Sequence, residues 1–382
     1  MVSVAAPRWR AFGASVQGVA HARRGTPNQD AFACSTPGDG ATVAIGAVAD
    51  GHGGARHFRS ARGAAFAVAC AVDALHEHRD TAPEAAADEL PRRIVAAWRD
   101  RVAADLATRP LEEQELTRAA QDESAAAAAE VRADPALAYG ATLVAAVAHA
   151  RSTLVLQLGD GEVLCVAADG HTTRPLPGDA RLAHGRTTSL CQPEAWREFR
   201  VARIGAHEPQ PAMLVLATDG YANAFRSDHD FLHVGADLFA LLRSGGPDAL
   251  AAQLPGFLGE ASAHGSGDDV TVAILHRDPL PAAGLSEIWD EPAPAQAAPP
   301  ARERPSSAGR WALAVAAAAL AAATLWAVGR KEEAPQPGAA AGGAVPARPL
   351  PDGRRDPLPH LGDPFPAKDK GRRRDPATRA AE

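Results

Sequence analysis

Four apolar runs of strand length in this chain each abut an aspartate that stands beside a glycine or a second acid. They are 41–48 with Asp50-Gly51, 154–158 with Asp160-Gly161, 213–217 with Asp219-Gly220, and 270–275 preceded by Asp268-Asp269. Short apolar runs bounded by turn residues read as buried strands. Ahead of the first stands Asn28-Gln29-Asp30-Ala31-Phe32. Acids so far apart in sequence converge on one site only if their strands lie side by side in a sheet.

A carboxylate at a strand end can reach a hard cation, and an adjacent glycine lets its own carbonyl approach the same ion. Taken alone, Asp50-Gly51-His52-Gly53-Gly54 is also a plain strand-to-helix turn with an aspartate as cap. Only the repetition of the pattern favours a shared site.

In order and spacing these stretches resemble the PPM-type (type 2C) metal-dependent Ser/Thr protein phosphatases. The likeness rests on Asn-Gln-Asp-Ala at 28–31, Ala-Asp-Gly-His-Gly-Gly at 49–54, Gly-Ala-Thr-Leu at 140–143, Leu-Gly-Asp-Gly at 158–161, Ala-Thr-Asp-Gly at 217–220 and Asp-Asp-Val-Thr-Val at 268–272. Several short motifs in one order are far more specific than any one of them.

The resemblance implies an α/β (α+β) fold, an α-β-β-α four-layer sandwich of two antiparallel sheets flanked by helices, with metals in a cleft at one edge. It implies Mn2+ or Mg2+ as cofactor, two ions and a weaker third. Asp50 would bridge two ions, Gly51 would offer its carbonyl, Asp219 and Asp268 would complete the first site, and Asp160 with Asp219 would hold the third. Gln29 takes a place where the family often has glutamate, which implies a weaker second site. Asp269 and Asp30 would act behind the ligands.

The family's arginine for the substrate phosphate has no direct counterpart, because the loop His21-Ala22-Arg23-Arg24-Gly25-Thr26-Pro27 is longer. His21, Arg23 and Arg24 remain candidates, with Arg24 preferred for its bidentate reach. His52 is either a general acid for the leaving oxygen or the variable residue of its turn.

The pattern along the chain agrees with a large first domain over 1–280. Strands are expected over 8–18, 31–36, 141–148, 152–158, 162–167, 199–205, 211–218 and 269–276, and helices over 55–79, within 82–132, and over 230–263 with a break at Gly245-Gly246-Pro247. The stretch 171–198 lacks periodicity and is either a flap that selects substrates or an ordinary surface loop.

A net charge of −7 argues against a nucleic-acid-binding body. The four cysteines (34, 70, 165, 191) show no ligand spacing, and read as reduced, half-buried cytoplasmic thiols. Lysine occurs only at 331, 368 and 370 while arginine and alanine are abundant, as in a GC-rich bacterium.

Past Asp278 the composition shifts to Pro, Ala and Glu, a linker over 281–309. The uncharged stretch 311–329, flanked by Arg310, Arg330 and Lys331 and carrying Trp311 and Trp326, is long enough to cross a bilayer. An Ala-rich soluble helix is the alternative. The tail over 331–382 is Pro/Arg-rich and expected to be disordered.

The expected protein is thus a bacterial phosphatase in the cell inner membrane, single-pass, with its catalytic domain in the cytoplasm. It would act on phosphorylated proteins made by a Ser/Thr kinase. A phosphatase-like module that binds phosphorylated partners without turnover is the alternative, and the intact acids favour the enzyme.

Overall fold

The computed structural model describes residues 8–36, 42–77, 88–179, 181–182 and 187–281. The expected linker, the 311–329 span and the tail lie outside them. Among the described residues no helix is long and apolar enough to cross a membrane.

Among the described residues ten strands form two antiparallel sheets. One contains, in spatial order, β1 (Arg8–Val16), β10 (Val270–Asp278), β9 (Met213–Ala217), β6 (Glu162–Val166) and β7 (Thr172–Thr173). The other runs β2 (Ala31–Ser35), β3 (Val43–Ala49), β4 (Leu143–His149), β5 (Thr153–Leu158) and β8 (Arg200–Ile204). The apolar runs are continuous because each central strand is buried on both faces. In β3, Ala44 and Val48 face the opposite sheet while Ile45, Ala47 and Ala49 face the helices. In β10, Ala273 and Leu275 meet the other sheet while Val270, Val272 and Ile274 face outward into a second helical layer.

Among the described residues eight α-helices accompany the sheets: α1 (Val19–Arg24), α2 (Ser60–Glu77), α3 (Leu90–Thr108), α4 (Glu113–Asp122), α5 (Ala125–Ala133), α6 (Asp219–Ala222), α7 (Asp228–Gly245) and α8 (Pro247–Ala261). On one side α2 covers β2, β3 and β4 through Ala64, Ala67 and Ala71, and α3 packs on α2 with Ile94 and Trp98 in the same core. On the other, α7 packs on β6 and β7 and α8 on β1 and β10, through Phe231, Leu238, Leu254 and Leu258. This is the expected four-layer sandwich, each amphipathic helix burying one stripe on a sheet.

Two expectations need correction. The basic loop at 21–27 begins as a helix, α1, whose end is closed by Gly25 at φ 69° with its N–H on the Ala22 and His21 carbonyls. The cysteines are not half-buried as a set: Cys70, Cys165 and Cys191 are fully buried and only Cys34 is intermediate, and all four are free thiols. Burial alone pushes the Cys34 and Cys165 thiols up to about 12, which makes them poor nucleophiles.

Candidate active site

The strand-end acids converge at one edge of the sandwich. Antiparallel pairing of β3 with β4 brings Asp50 beside Thr142: the Thr142 N–H donates to the Asp50 carbonyl at 2.8 Å, and the Asp50 N–H donates to Thr142 Oγ1 at 3.1 Å. From the other sheet, β9 ends at Ala217 and, through Thr218, delivers Asp219 into the first turn of α6, while β10 begins after Asp268-Asp269. Asp219 is steadied by Asn223, whose Nδ2 donates to Oδ2 at 2.9 Å.

Two glycines are required here by close approach. A Cβ on Gly51 would stand 2.7 Å from the Gln29 carbonyl oxygen, and one on Gly220 would stand 2.0 Å from the Asp269 carbonyl oxygen. Both distances are below any real Cβ contact, so the turns next to Asp50 and Asp219 fit only without side chains.

Burial, then the charges of Asp30 and Asp219, holds the Asp50 carboxyl well above the usual carboxylate range, and Asp268 adds to this. Asp219 is pushed up to about 6 by burial first and Asp160 second. Asp30 is pushed up to about 7 by burial, which outweighs the hydrogen bond that Thr218 Oγ1 gives its Oδ2 at 2.7 Å. Among the described residues none of Asp30, Asp50 and Asp219 has an Arg or Lys ion-pair partner. Carboxyls that disfavour one another's ionised form, with no cation of the protein's own, fit a divalent ion, since that charge reverses the penalty. The oxygen-rich donor set suits Mg2+ or Mn2+.

Asp269 organises the neighbouring loop. It is 3% exposed, and its Oδ1 accepts from the Gly18 N–H at 2.6 Å while Oδ2 accepts from the Gln29 N–H at 2.7 Å. The loop that carries Gln29 and Asp30 is thereby clamped to the start of β10. Gln29 is buried, its Nε2 donates to Ser60 Oγ at 2.7 Å, and its backbone carbonyl accepts from the Gly51 N–H at 3.1 Å. That places Gln29 next to the Asp50-Gly51 turn, as the motif order implied.

The basic candidates on α1 separate sharply. Arg24 is exposed, and its Nε donates back to the Ala20 carbonyl of its own helix at 3.1 Å. Arg23 is exposed as well. His21 is the one turned on the acids, with Nδ1 2.9 Å from Asp269 Oδ2 and Nε2 3.4 Å from Asp268 Oδ1. The structure thus turns His21, and not Arg24, toward the acids: a six-residue helix turns every third or fourth residue to one side, and His21 takes the inner side.

His52 packs edge-on against His57, ring centroids 4.9 Å apart, and burial first and His57 second push it down to about 4. Two residues to which the motifs assign no role also belong to the site. Thr187 donates to Asp160 Oδ1 at 2.9 Å, and Thr218, beside the marked Asp219, fixes Asp30. A hydroxyl in an aperiodic stretch carries no signal of its partner, whereas Thr218 at the end of an apolar run was open to notice.

A two-sheet sandwich with buried, uncompensated carboxyls along one edge has the frame of a metal-dependent phosphohydrolase. The family profile described as protein phosphatase 2C matches residues 17–259, more than half of the chain, and the chain belongs to that family of metal-dependent protein serine/threonine phosphatases. No curated protein matches the chain significantly.

Solved structures that it resembles include the catalytic domain of the serine threonine protein phosphatase PstP in complex with two manganese ions. That match has 18% identity and a TM-score of 0.43, over 71% of this chain and 99% of the other. Another is PppA, a regulatory component of T6SS in Pseudomonas aeruginosa, at 20% identity and a TM-score of 0.42, over 71% of this chain and 98% of the other. A third is RsbX in complex with magnesium, at 13% identity and a TM-score of 0.37, over 70% of this chain and 95% of the other.

Proposed function

We propose that this phosphatase hydrolyses phosphoserine and phosphothreonine in proteins with a water activated between two divalent ions, Mn2+ or Mg2+, and so opposes a Ser/Thr kinase. The observation that carries the reading is the group of buried carboxyls Asp30, Asp50 and Asp219, each raised first by burial and then by neighbouring acids, and without a basic partner among the described residues. Divalent ions bound there supply Lewis acidity and a water of lowered pKa.

In this reading Asp50, the Gly51 carbonyl, Asp219 and Asp268 would hold the two ions. Asp160, whose charge acts on Asp219, shares a weaker third site with it. Gln29 lies toward the second ion with a neutral side chain. Asp269 and Thr218 bind none of these; they hold the Gln29-Asp30 loop in register with β10. The sandwich wall behind the acids excludes water, which strengthens every charge interaction at the edge.

A phosphate grip by Arg24 requires the guanidinium to leave Ala20 and swing over the edge, a movement that its long stem permits. The membrane span over 311–329, the inner-membrane location and a cytoplasmic catalytic domain rest on the sequence and belong to this proposal.

The test is hydrolysis of a phosphothreonine peptide by the full-length protein, with and without Mn2+. Turnover is expected with metal, none after EDTA, and a fall of roughly 100-fold or more in Asp50→Ala and Asp219→Ala at unchanged circular dichroism. Metal-independent turnover, or full activity in Asp219→Ala, would sink the two-ion reading.

A further inference from the structure

The reading above gives the imidazole on α1 no task. One ligand atom each from His21, Asp268 and Asp269 fall within 4.8 Å of one another. His21 Nδ1 is buried and, among the described residues, without a hydrogen-bond partner, although Asp269 Oδ2 is only 2.9 Å away. The contact is close but misaligned for an N–H to donate.

Two ligand atoms at right angles on an octahedral ion, with bonds of about 2.1 Å, stand about 3.0 Å apart. The His21 and Asp269 atoms have that separation. Asp269 is held rigid by the Gly18 and Gln29 N–H groups, and each of its oxygens keeps a second lone pair free. The Asp268 side chain is 50% exposed, which leaves an entry path from solvent.

We propose that His21, Asp268 and Asp269 form a nitrogen-containing site for a divalent first-row transition ion at the solvent-facing end of the acid edge. An imidazole nitrogen suits Mn2+, Fe2+, Co2+ or Zn2+, whereas Mg2+ prefers oxygen ligands. The site differs in donor chemistry from the all-oxygen cluster of Asp50, Asp160 and Asp219. It rests on the phosphatase reading only through Asp268, which serves both.

The test is electron spin-echo envelope modulation of Mn2+ bound to the full-length protein, titrated to saturation. The background carries His229→Ala and His233→Ala, because those exposed rings on α7, centroids 4.4 Å apart, are a competing chelate. Nitrogen modulation is expected, and it should vanish in both His21→Ala and His21→Gln, the latter keeping a polar side chain of similar reach.

Asp50→Ala separates the two readings: it should abolish peptide hydrolysis and leave the nitrogen modulation intact. Modulation present in a protein that never hydrolyses the peptide would overturn the phosphatase reading and keep this one. Absence of modulation at saturation, or its persistence in His21→Ala, would overturn the site.

Discussion

Thr187 Oγ1 donates to Asp160 Oδ1 at 2.9 Å, and next to it the Gly159 N–H donates to Thr188 Oγ1 at 2.8 Å. The stretch continues onto Ala141, whose carbonyl accepts from the Leu190 N–H at 2.9 Å. A segment that reads in sequence as either flap or surface loop is, over 187–190, one wall of the acid edge. Thr187→Val keeps the shape and removes the donor that orients Asp160. Loss of such an orienting partner costs roughly 10-fold in metal affinity. The half-activating Mn2+ concentration should rise by about that factor, with maximal rate little changed, in Mn2+ titrations of peptide hydrolysis. A superimposable titration would leave Thr187 with a structural role alone.

Metal-free protein should lose stability as pH rises. Burial and neighbouring acids push folded Asp30 up to about 7 and Asp219 up to about 6, above the ordinary aspartate value of 3.8. The folded state therefore binds more protons than the unfolded one between pH 4 and 7, and the free energy of unfolding falls across that window. With the carboxyls coupled, the loss is on the order of 3 kcal/mol. Urea denaturation in EDTA at pH 4.5 and pH 7.5 measures it, and Mn2+ at pH 7.5 should restore the difference. A flat profile in EDTA would mean that these carboxyls are solvated.

Gln29 is buried against Ser60, and its Oε1 has no hydrogen-bond partner among the described residues. Gln29→Glu adds a negative charge beside the Asp50-Gly51 turn, where a partly buried position screens it incompletely. Half-activating Mn2+ should fall several-fold, with maximal rate nearly unchanged, and wild-type protein should prefer Mn2+ to Mg2+, which dehydrates more reluctantly. Coincident titrations of the two proteins would remove Gln29 from the second site.

The 311–329 stretch predicts that full-length protein pellets with membranes and resists carbonate extraction, while residues 1–305 stay in the supernatant. Full-length protein in the supernatant would make the stretch an ordinary Ala-rich helix.

The acids were legible because each sits where a continuous apolar run stops, and only a strand buried on both faces produces such a run. Val270–Leu275 shows why: its alternate residues enter different cores, so no residue along it is polar except Thr271. The placing of His21 was hidden. A helix of six residues has too few turns to show a period, and the start of α1 is fixed by residues some 250 positions later, the Gly18 N–H on Asp269, the Val19 N–H on Ser262 Oγ and the Ala20 N–H on the Gly267 carbonyl. Partnerships over that separation leave no local pattern, and for the same reason Thr187 gave no sign of Asp160.

β10 is the last described strand of the chain, yet it lies between β1 and β9, and Asp269, just before its start, holds the loop near the N-terminus. A nascent chain that has not yet passed residue 278 has a gap at the heart of one sheet and leaves β1 without a neighbour in it. The pairing that closes the gap joins the two ends of the domain, the kind of non-local step that folds late. The sheet that carries Asp219 and Asp268 is therefore complete only once β10 has been made, and a chain terminated before residue 270 lacks the strand that joins β1 to β9.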